Sequence, residues 1–384
     1  MARKIKLKYW INYALIGALL LVCLLLDLCG ALRGSVANMV TQIAYSIVLA
    51  VSLNLVVGFL GELSLGHAGF MCVGAYIGCV CANALYAASG NALLSLLLSM
   101  LVGGLAAAFA GFIIGIPTLR LKGDYLAIVT LAFGEIARNL LGNLFPSVFG
   151  GPSGLSTHKF GDKLYIVALI TALFCAFVIQ NLMRSKHGRA IQAVRDNEIA
   201  ARASGVNVTY YKLVAFILAA FFAGVVGVIY GQKVGSIRPS TFSFDYSIDI
   251  LVMVVLGGMG NITGSILAAA ALTFLDIRLA DLLSGDLAAL KNMVYALILI
   301  ALVIWNNAPA LKHLREKYSL SVLWRRLMHR LSHKNPPQDG GEEGPETVAW
   351  DKIPTKIPMD AILSTDLSPN DAFEADAPGK EDQP

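Results

Sequence analysis

Charge is what this 384-residue chain has least of. Asp, Glu, Lys and Arg together make up 14% of it, where soluble domains approach about a quarter. With 57% hydrophobic residues and a mean hydropathy of +0.67, that scarcity excludes a soluble globular protein and points to an all-α polytopic membrane protein. Chemistry-bearing motifs are also missing. There is no G-x-x-x-x-G-K-[ST] loop, and the only Gly-Lys pair is Gly379-Lys380, followed by Glu381. The chain therefore cannot itself be an ATPase. It has no H-E-x-x-H helix, no G-x-S-x-G elbow and no clustered carboxylate and histidine set in its apolar part. An enzyme is not expected, nor a metal site, a bound cofactor or a nucleic-acid partner. The six cysteines, at 23, 29, 72, 79, 81 and 175, lie in apolar segments without a C-x-x-C pair and read as small buried hydrophobes.

What is there is length of apolar run. A bilayer core needs about 20 apolar residues per helix. Candidate runs fall at 11–29, 36–60, 67–86, 92–116, 125–144, 164–183, 210–231, 247–275 and 288–305. The first follows Arg3, Lys4, Lys6 and Lys8, lacks an A-x-A site, and is read as an uncleaved span. Basic residues gather before the first run, between 184 and 202, and from Lys312 to Lys334. By the positive-inside rule all three places are cytoplasmic. Both termini inside demands an even number of crossings, so one of the nine runs must be double. The 247–275 run is interrupted by Leu256-Gly257-Gly258-Met259-Gly260-Asn261 and is read as two short half-helices or short spans. The count is then about 8–10 transmembrane helices.

A second glycine-rich interruption, residues 58–70, separates the second and third runs. Broken segments in corresponding positions of two halves point to a transport path and an internal duplication. Glycines that only permit close helix packing are the plainer alternative. A helix break that also shapes the path is the reading adopted.

One polar island, residues 185–208, stands between two long apolar runs and is built to meet something in water. Arg195, Glu198 and Arg202 fall at three- and four-residue spacing, on one face if a single helix runs through them. Ala200 and Ala201 offer small contact surfaces, and Gly205 can end the helix. Ionisable residues inside the apolar runs are few. Glu135 and Arg138 can neutralise each other, whereas Asp249 and Glu62 are ambiguous. No convincing proton or sodium relay appears, so the energy source is expected to be external.

After Trp305 the chain changes twice. Residues 306–334 include seven basic residues among Leu, Tyr, Val and Trp, a pattern for a helix on an anionic membrane surface. Residues 335–384 carry 12 acidic against 3 basic residues and read as a disordered tail. His329 and His333, four apart, lack a third ligand for a metal. The domains expected are thus 1–35 (N-terminal cytoplasmic segment and first span), 36–305 (permease core, with the island at 185–208), 306–334 and 335–384.

The residues also carry a resemblance. Asn54-Leu55-Val56-Val57-Gly58, Ser64-Leu65-Gly66-His67-Ala68-Gly69-Phe70 and Gly74-Ala75-Tyr76 match the branched-chain amino acid ABC transporter permease family, LivM type. So do 121–131 (LKGDYLAIVTL), 150–155 (GGPSGL), Gly188-Arg189-Ala190, Arg195-Asp196-Asn197-Glu198 and 253–260 (MVVLGGMG). In order, the resemblance covers about residues 36–305. It implies an inner-membrane subunit that pairs with a second, homologous permease, two cytoplasmic ATPase subunits that use the ATP, and a periplasmic binding protein. By the same resemblance the island docks on an ATPase through Gly188, Arg189, Arg195, Asp196, Glu198, Ala201, Arg202 and Gly205. Here Ile199 follows the glutamate and the glycine comes one position late, which leaves the docking register open. The substrate route is then expected near Ser64, Gly66, His67, Gly69, Gly257, Gly258, Gly260 and Asn261, with His67 tying its segment to a neighbour or facing the solute. ATP-driven uptake of leucine, isoleucine or valine by alternating access leads. Urea or short amides in the same architecture, a secondary transporter, and a structural or signalling membrane protein follow in that order.

Overall fold

The computed structural model describes Ile16 and Gly17 and residues 34–307, apart from 119–120, 122, 144–145, 162 and 284–289. The rest of the expected first span, the expected basic segment (306–334) beyond Asn307 and the acidic tail lie outside the described residues. Among those described, seven helices are long and apolar enough to cross a membrane, and the chain is a multi-pass membrane protein.

The first, α1 (Ser35–Asn54), winds directly into a wider π-helical turn, Leu55–Leu60. After a non-helical stretch come α2 (His67–Ser89), α3 (Ala92–Thr118) and α4 (Asp124–Asn143). A one-turn α5 (Pro146–Phe149) and β1 (Leu155–Ser156) lead into α6 (Leu164–Arg184). The polar island forms α7 (Lys186–Asp196) and α8 (Glu198–Ala203), before α9 (Val208–Val234), β2 (Ser236–Ile237), α10 (Phe244–Gly257), α11 (Ile262–Leu282) and α12 (Leu290–Asn307).

Burial sorts these helices. Almost all of α1 is inside, packed by α6, α9, α10 and α11. On α3, by contrast, Leu93, Leu97, Leu101, Leu105 and Phe109 are exposed at four-residue spacing. That periodicity is one helix face, and a continuous apolar face left outside is what lipid contact demands. Against α2 and α9 the opposite face of α3 approaches through small residues. A Cβ on Gly74 would lie 2.2 Å from the Gly224 Cα, and one on Gly224 would lie 2.6 Å from the Gly103 carbonyl oxygen. Apolar attraction is weak between helices already in lipid, so such backbone-to-backbone packing holds them together.

The bundle has two distinct ends. One carries the island and the C-terminal end of α1. At the other, β1 and β2 pair antiparallel through Leu155 with Ile237 and Ser156 with Ser236. There Asn83 Nδ2 donates to the Ser156 carbonyl at 2.9 Å, and His158 stacks on Tyr86 with centroids 4.0 Å apart. From α1 to α9 successive spans run alternately toward and away from the island end, and α11 runs away from it again because the short α10 returns the chain there.

The 247–275 run is divided as expected but not equally. At 14 residues, α10 is about 21 Å long, too short to span. At 21 residues, α11 is a full span rather than a half-helix, because it continues beyond 275 through Asp276 and Arg278 to Leu282.

Candidate functional site

Both glycine interruptions lie at the island end, back to back, and the island closes over them. The first begins where α1 loosens into its π turn. Asn54 marks the start: its Nδ2 donates to Ser265 Oγ of α11 at 2.9 Å, and its Oδ1 accepts from the Gly260 N–H at 2.9 Å. One buried amide therefore clamps the two interruptions together. Gly58 completes the contact, since a Cβ there would fall 1.8 Å from Asn54 Oδ1 and 2.2 Å from the Gly260 nitrogen. π turns inside α-helices are frequent at functional sites, where they redirect side chains. Here the turn ends at Gly61, whose φ of 81° falls in the left-handed region open to glycine.

Beyond Gly61 the chain is held by side chains of other elements. The Leu65 N–H donates to Thr130 Oγ1 of α4 at 3.0 Å, and the Ala68 N–H donates to Ser247 Oγ of α10 at 3.1 Å. Ser64 is buried, and Gly66 and Gly69 sit against α4 at Thr130 and Gly134. His67 is 2% exposed. The Ser52 hydroxyl gives its proton to the Leu49 carbonyl at 3.0 Å, so His67 Nε2 donates to Ser52 Oγ at 2.9 Å. The imidazole thus staples the start of α2 to α1.

The second interruption is a tight turn, with Gly258 and Gly260 at φ 89° and 79°. Asn261 is exposed, and its carbonyl accepts from the Ser265 N–H at 3.0 Å. A Cβ on Gly257 would meet the Ser265 backbone at 2.6 Å. Met259 at the tip is 62% exposed.

The island is two helices, not one. Asn197 takes an extended conformation (φ −159°), and its Oδ1 accepts from the Ile199 and Ala200 N–H groups, both at 3.0 Å. That side chain ends α7 and caps α8, as Asn does when it competes with helical backbone bonding. The single face expected through Arg195, Glu198 and Arg202 is therefore divided. Arg195, on α7, turns inward: its Nη1 donates to the Gly58 carbonyl at 3.1 Å, and its Nη2 pairs with Asp196 at 3.0 Å. Glu198 accepts from Arg202 Nη2 at 2.9 Å within α8, and from Lys212 Nζ of α9 at 3.3 Å. Lys212 also pairs with Glu62, their side chains 4% and 13% exposed. A line of alternating charge, Arg202, Glu198, Lys212, Glu62, joins the island to the first interruption.

Other island residues divide by burial. Gly188 and Ala201 face the chain's own core, where a Cβ on Gly188 would lie 2.4 Å from the Met183 Cα. Arg189, Asp196, Arg202 and Gly205 are outside. Gly205 ends α8: its N–H bonds the Arg202 carbonyl at 3.1 Å, and the Val206 N–H reaches back to the Ala201 carbonyl at 3.0 Å. This is the paired Schellman arrangement. On α8, the large apolar side chain of Ile199 is 77% exposed.

Two central residues, Lys212 and Asn54, escaped sequence reasoning as functional candidates. Lys212 could have been found as a lone cation inside an apolar run, matched by the ambiguous Glu62 in the first interruption.

A family model described as "branched-chain amino acid transport system / permease component" matches residues 35–303. The chain belongs to this permease family, LivM type. The LivM high-affinity branched-chain amino acid transport system permease of Salmonella typhimurium strain LT2 is 36% identical over 321 residues, covering 75% of this chain and 72% of that one. The Escherichia coli K12 LivM protein matches to the same extent. The ribose import permease RbsC of E. coli K12 is 32% identical over 132 residues, 33% of this chain and 40% of its own. The family is one of transport permeases, and the span matched by its model contains both interruptions and the island of this permease.

Proposed function

We propose that this chain is the permease subunit of an ATP-binding-cassette importer that moves leucine, isoleucine or valine across the bacterial inner membrane. It pairs with a second, homologous permease, two ATPase subunits on the island side, and a binding protein on the opposite side. ATP is bound by the partners, and this chain holds no cofactor. Both termini are cytoplasmic, as the basic clusters require. Movement is by alternating access, with Ser64, Gly66, His67, Gly69, Gly257, Gly258, Gly260 and Asn261 near the route. Within that set, His67 and the glycines act by holding the broken backbone in place.

The observation that carries the coupling part is the bond from Arg195 to the Gly58 carbonyl. A partner that pulls on the island pulls through Arg195 on the π turn and through Glu198 and Lys212 on Glu62. In this reading Ile199, Arg189, Asp196 and Arg202 meet the ATPase. Gly188, Ala201 and Gly205 set the position and ends of the two short helices.

The deciding experiment is uptake of labelled leucine in cells from which this gene is deleted, with unlabelled valine and urea as separate competitors, repeated without the ATPase subunits. Loss of a valine-sensitive component that also needs the ATPases supports the reading. Leucine uptake that persists after the gene is deleted overturns the substrate, and uptake that survives without the ATPases overturns the energy source.

A further inference from the structure

Away from the interruptions, α1, α10, α11 and α12 line a partly open cavity of about 70 Å³. Its walls mix Leu49, Ile250, Met253 and Leu272 with polar side chains, which are costly in a membrane-spanning bundle. Asp249 of α10 and Asp276 of α11 line it, as do Gln42, Thr273 and Tyr295. Two acidic residues 27 positions apart are brought to one hollow by the turn between α10 and α11. A water needs roughly 10–15 Å³ measured this way, so the space exceeds one water but falls short of a whole aliphatic amino acid.

Two further observations say what the hollow is made to hold. Thr273 is 3% exposed and its hydroxyl has no hydrogen-bond partner. An unsatisfied buried hydroxyl is destabilising, and a ligand donor or acceptor removes that cost. At the edge, Lys233 donates from Nζ to Gln42 Oε1 at 2.8 Å and stands 5.4 Å from the centre of the Tyr45 ring. A fixed cation therefore stands directly behind one wall of an acidic hollow.

We propose that this cavity receives the head group of an α-amino acid, its ammonium directed to Asp249, Asp276 and the Thr273 hydroxyl and its carboxylate to the Lys233 side. The inference rests on the substrate class given under Proposed function and adds the place where that class is selected. The hydrocarbon part stays outside, which fits a system that accepts several aliphatic side chains. A neutral amide such as urea gains nothing from the paired charges.

The test is binding of labelled leucine to the complex purified through a tag on this chain, without binding protein. Competitors are 3-methylbutylamine, 4-methyl-2-oxopentanoate, ammonium chloride and sodium chloride. Competition by the amine, none by the keto acid or the salts, and affinity at least about tenfold weaker in Asp249→Asn and Asp276→Asn support the proposal, since a hydrogen bond to a charged group contributes about 1.5–3 kcal/mol. Thr273→Val, which keeps the volume, is expected to weaken binding several-fold. Unchanged binding in all three variants, or no leucine binding by the wild-type complex, overturns it. Displacement by either salt overturns the amino acid assignment in favour of an inorganic cation. Should an aspartate variant fail to insert, Thr273→Val and the competitors still decide. The gene-deletion experiment judges the transport reading separately: leucine uptake lost on deletion with binding untouched by the variants removes only this inference.

Discussion

The two interruptions meet at one point yet are built in opposite ways. The first, from Leu55 to Gly66, is buried along its π turn and at Ser64 and Gly66, half-buried between them apart from the exposed Gly61, and is held by other helices through Arg195, Lys212, Thr130 and the staple from His67 to Ser52. The second, Gly258 to Asn261, is a short turn with an exposed tip, held by backbone approach and by the single amide of Asn54. A segment wired to several elements transmits displacement, whereas one that leans on its neighbour follows it. The island is bonded to the first, so in the coupling proposed above the first is the driver and the second the follower.

Gly58→Ala breaks this arrangement most severely, because the added Cβ overlaps both Asn54 and the Gly260 backbone. Overpacking of this kind costs about 1–3 kcal/mol or more. Uptake is expected to fall to background in cells while immunoblots still show the protein in the membrane.

Lys212→Met strikes the driver alone. Removing one member of a buried ion pair costs about 3–5 kcal/mol, and removing both costs much less. Lys212→Met is therefore expected to lower the thermal midpoint of the purified complex, and Lys212→Met with Glu62→Gln to recover most of the loss. Additive losses in that double-mutant cycle would show that the two residues act separately.

Asn54→Ala strikes the clamp and leaves the Gly260 N–H without its partner, at about 1–3 kcal/mol. Transport is expected to drop further than stability, read as ATP hydrolysed per leucine moved. Ile199→Ser touches neither interruption, so insertion and midpoint should hold while ATP-driven uptake falls several-fold. Normal uptake in that variant would remove α8 from the docking surface. Truncation after Lys334 is expected to have the smallest effect, sparing uptake, because the acidic segment beyond it has no apolar pattern with which to pack.

The comparison also explains what could be read in advance. Span positions, the division near Gly258 and the isolation of the island follow from runs of residue type, since lipid admits helices and little else. Pairing between distant residues leaves no such trace. Glu62 and Lys212 are 150 positions apart, one in a glycine-rich interruption and the other in an apolar run, and neither alone points to the other. The single helix expected through the island failed on one residue, Asn197, whose side chain outcompeted the backbone. Asp249 was visible as an ambiguous charge, but Asp276 became its neighbour only through the turn that folds α11 back along α10.

The sequence by itself determined that this protein lives in a membrane, where its spans lie, which segment faces water and which permease family it joins. These depend on composition, period and local motif. Only the tertiary structure decided that the two glycine interruptions touch, that Arg195 reaches inward to one of them, and that two carboxylates share a hollow with an unsatisfied hydroxyl. Those facts depend on helix crossings set by the absence of a Cβ at Gly58, Gly74 and Gly257, where contacts of a few ångströms join residues up to some two hundred positions apart.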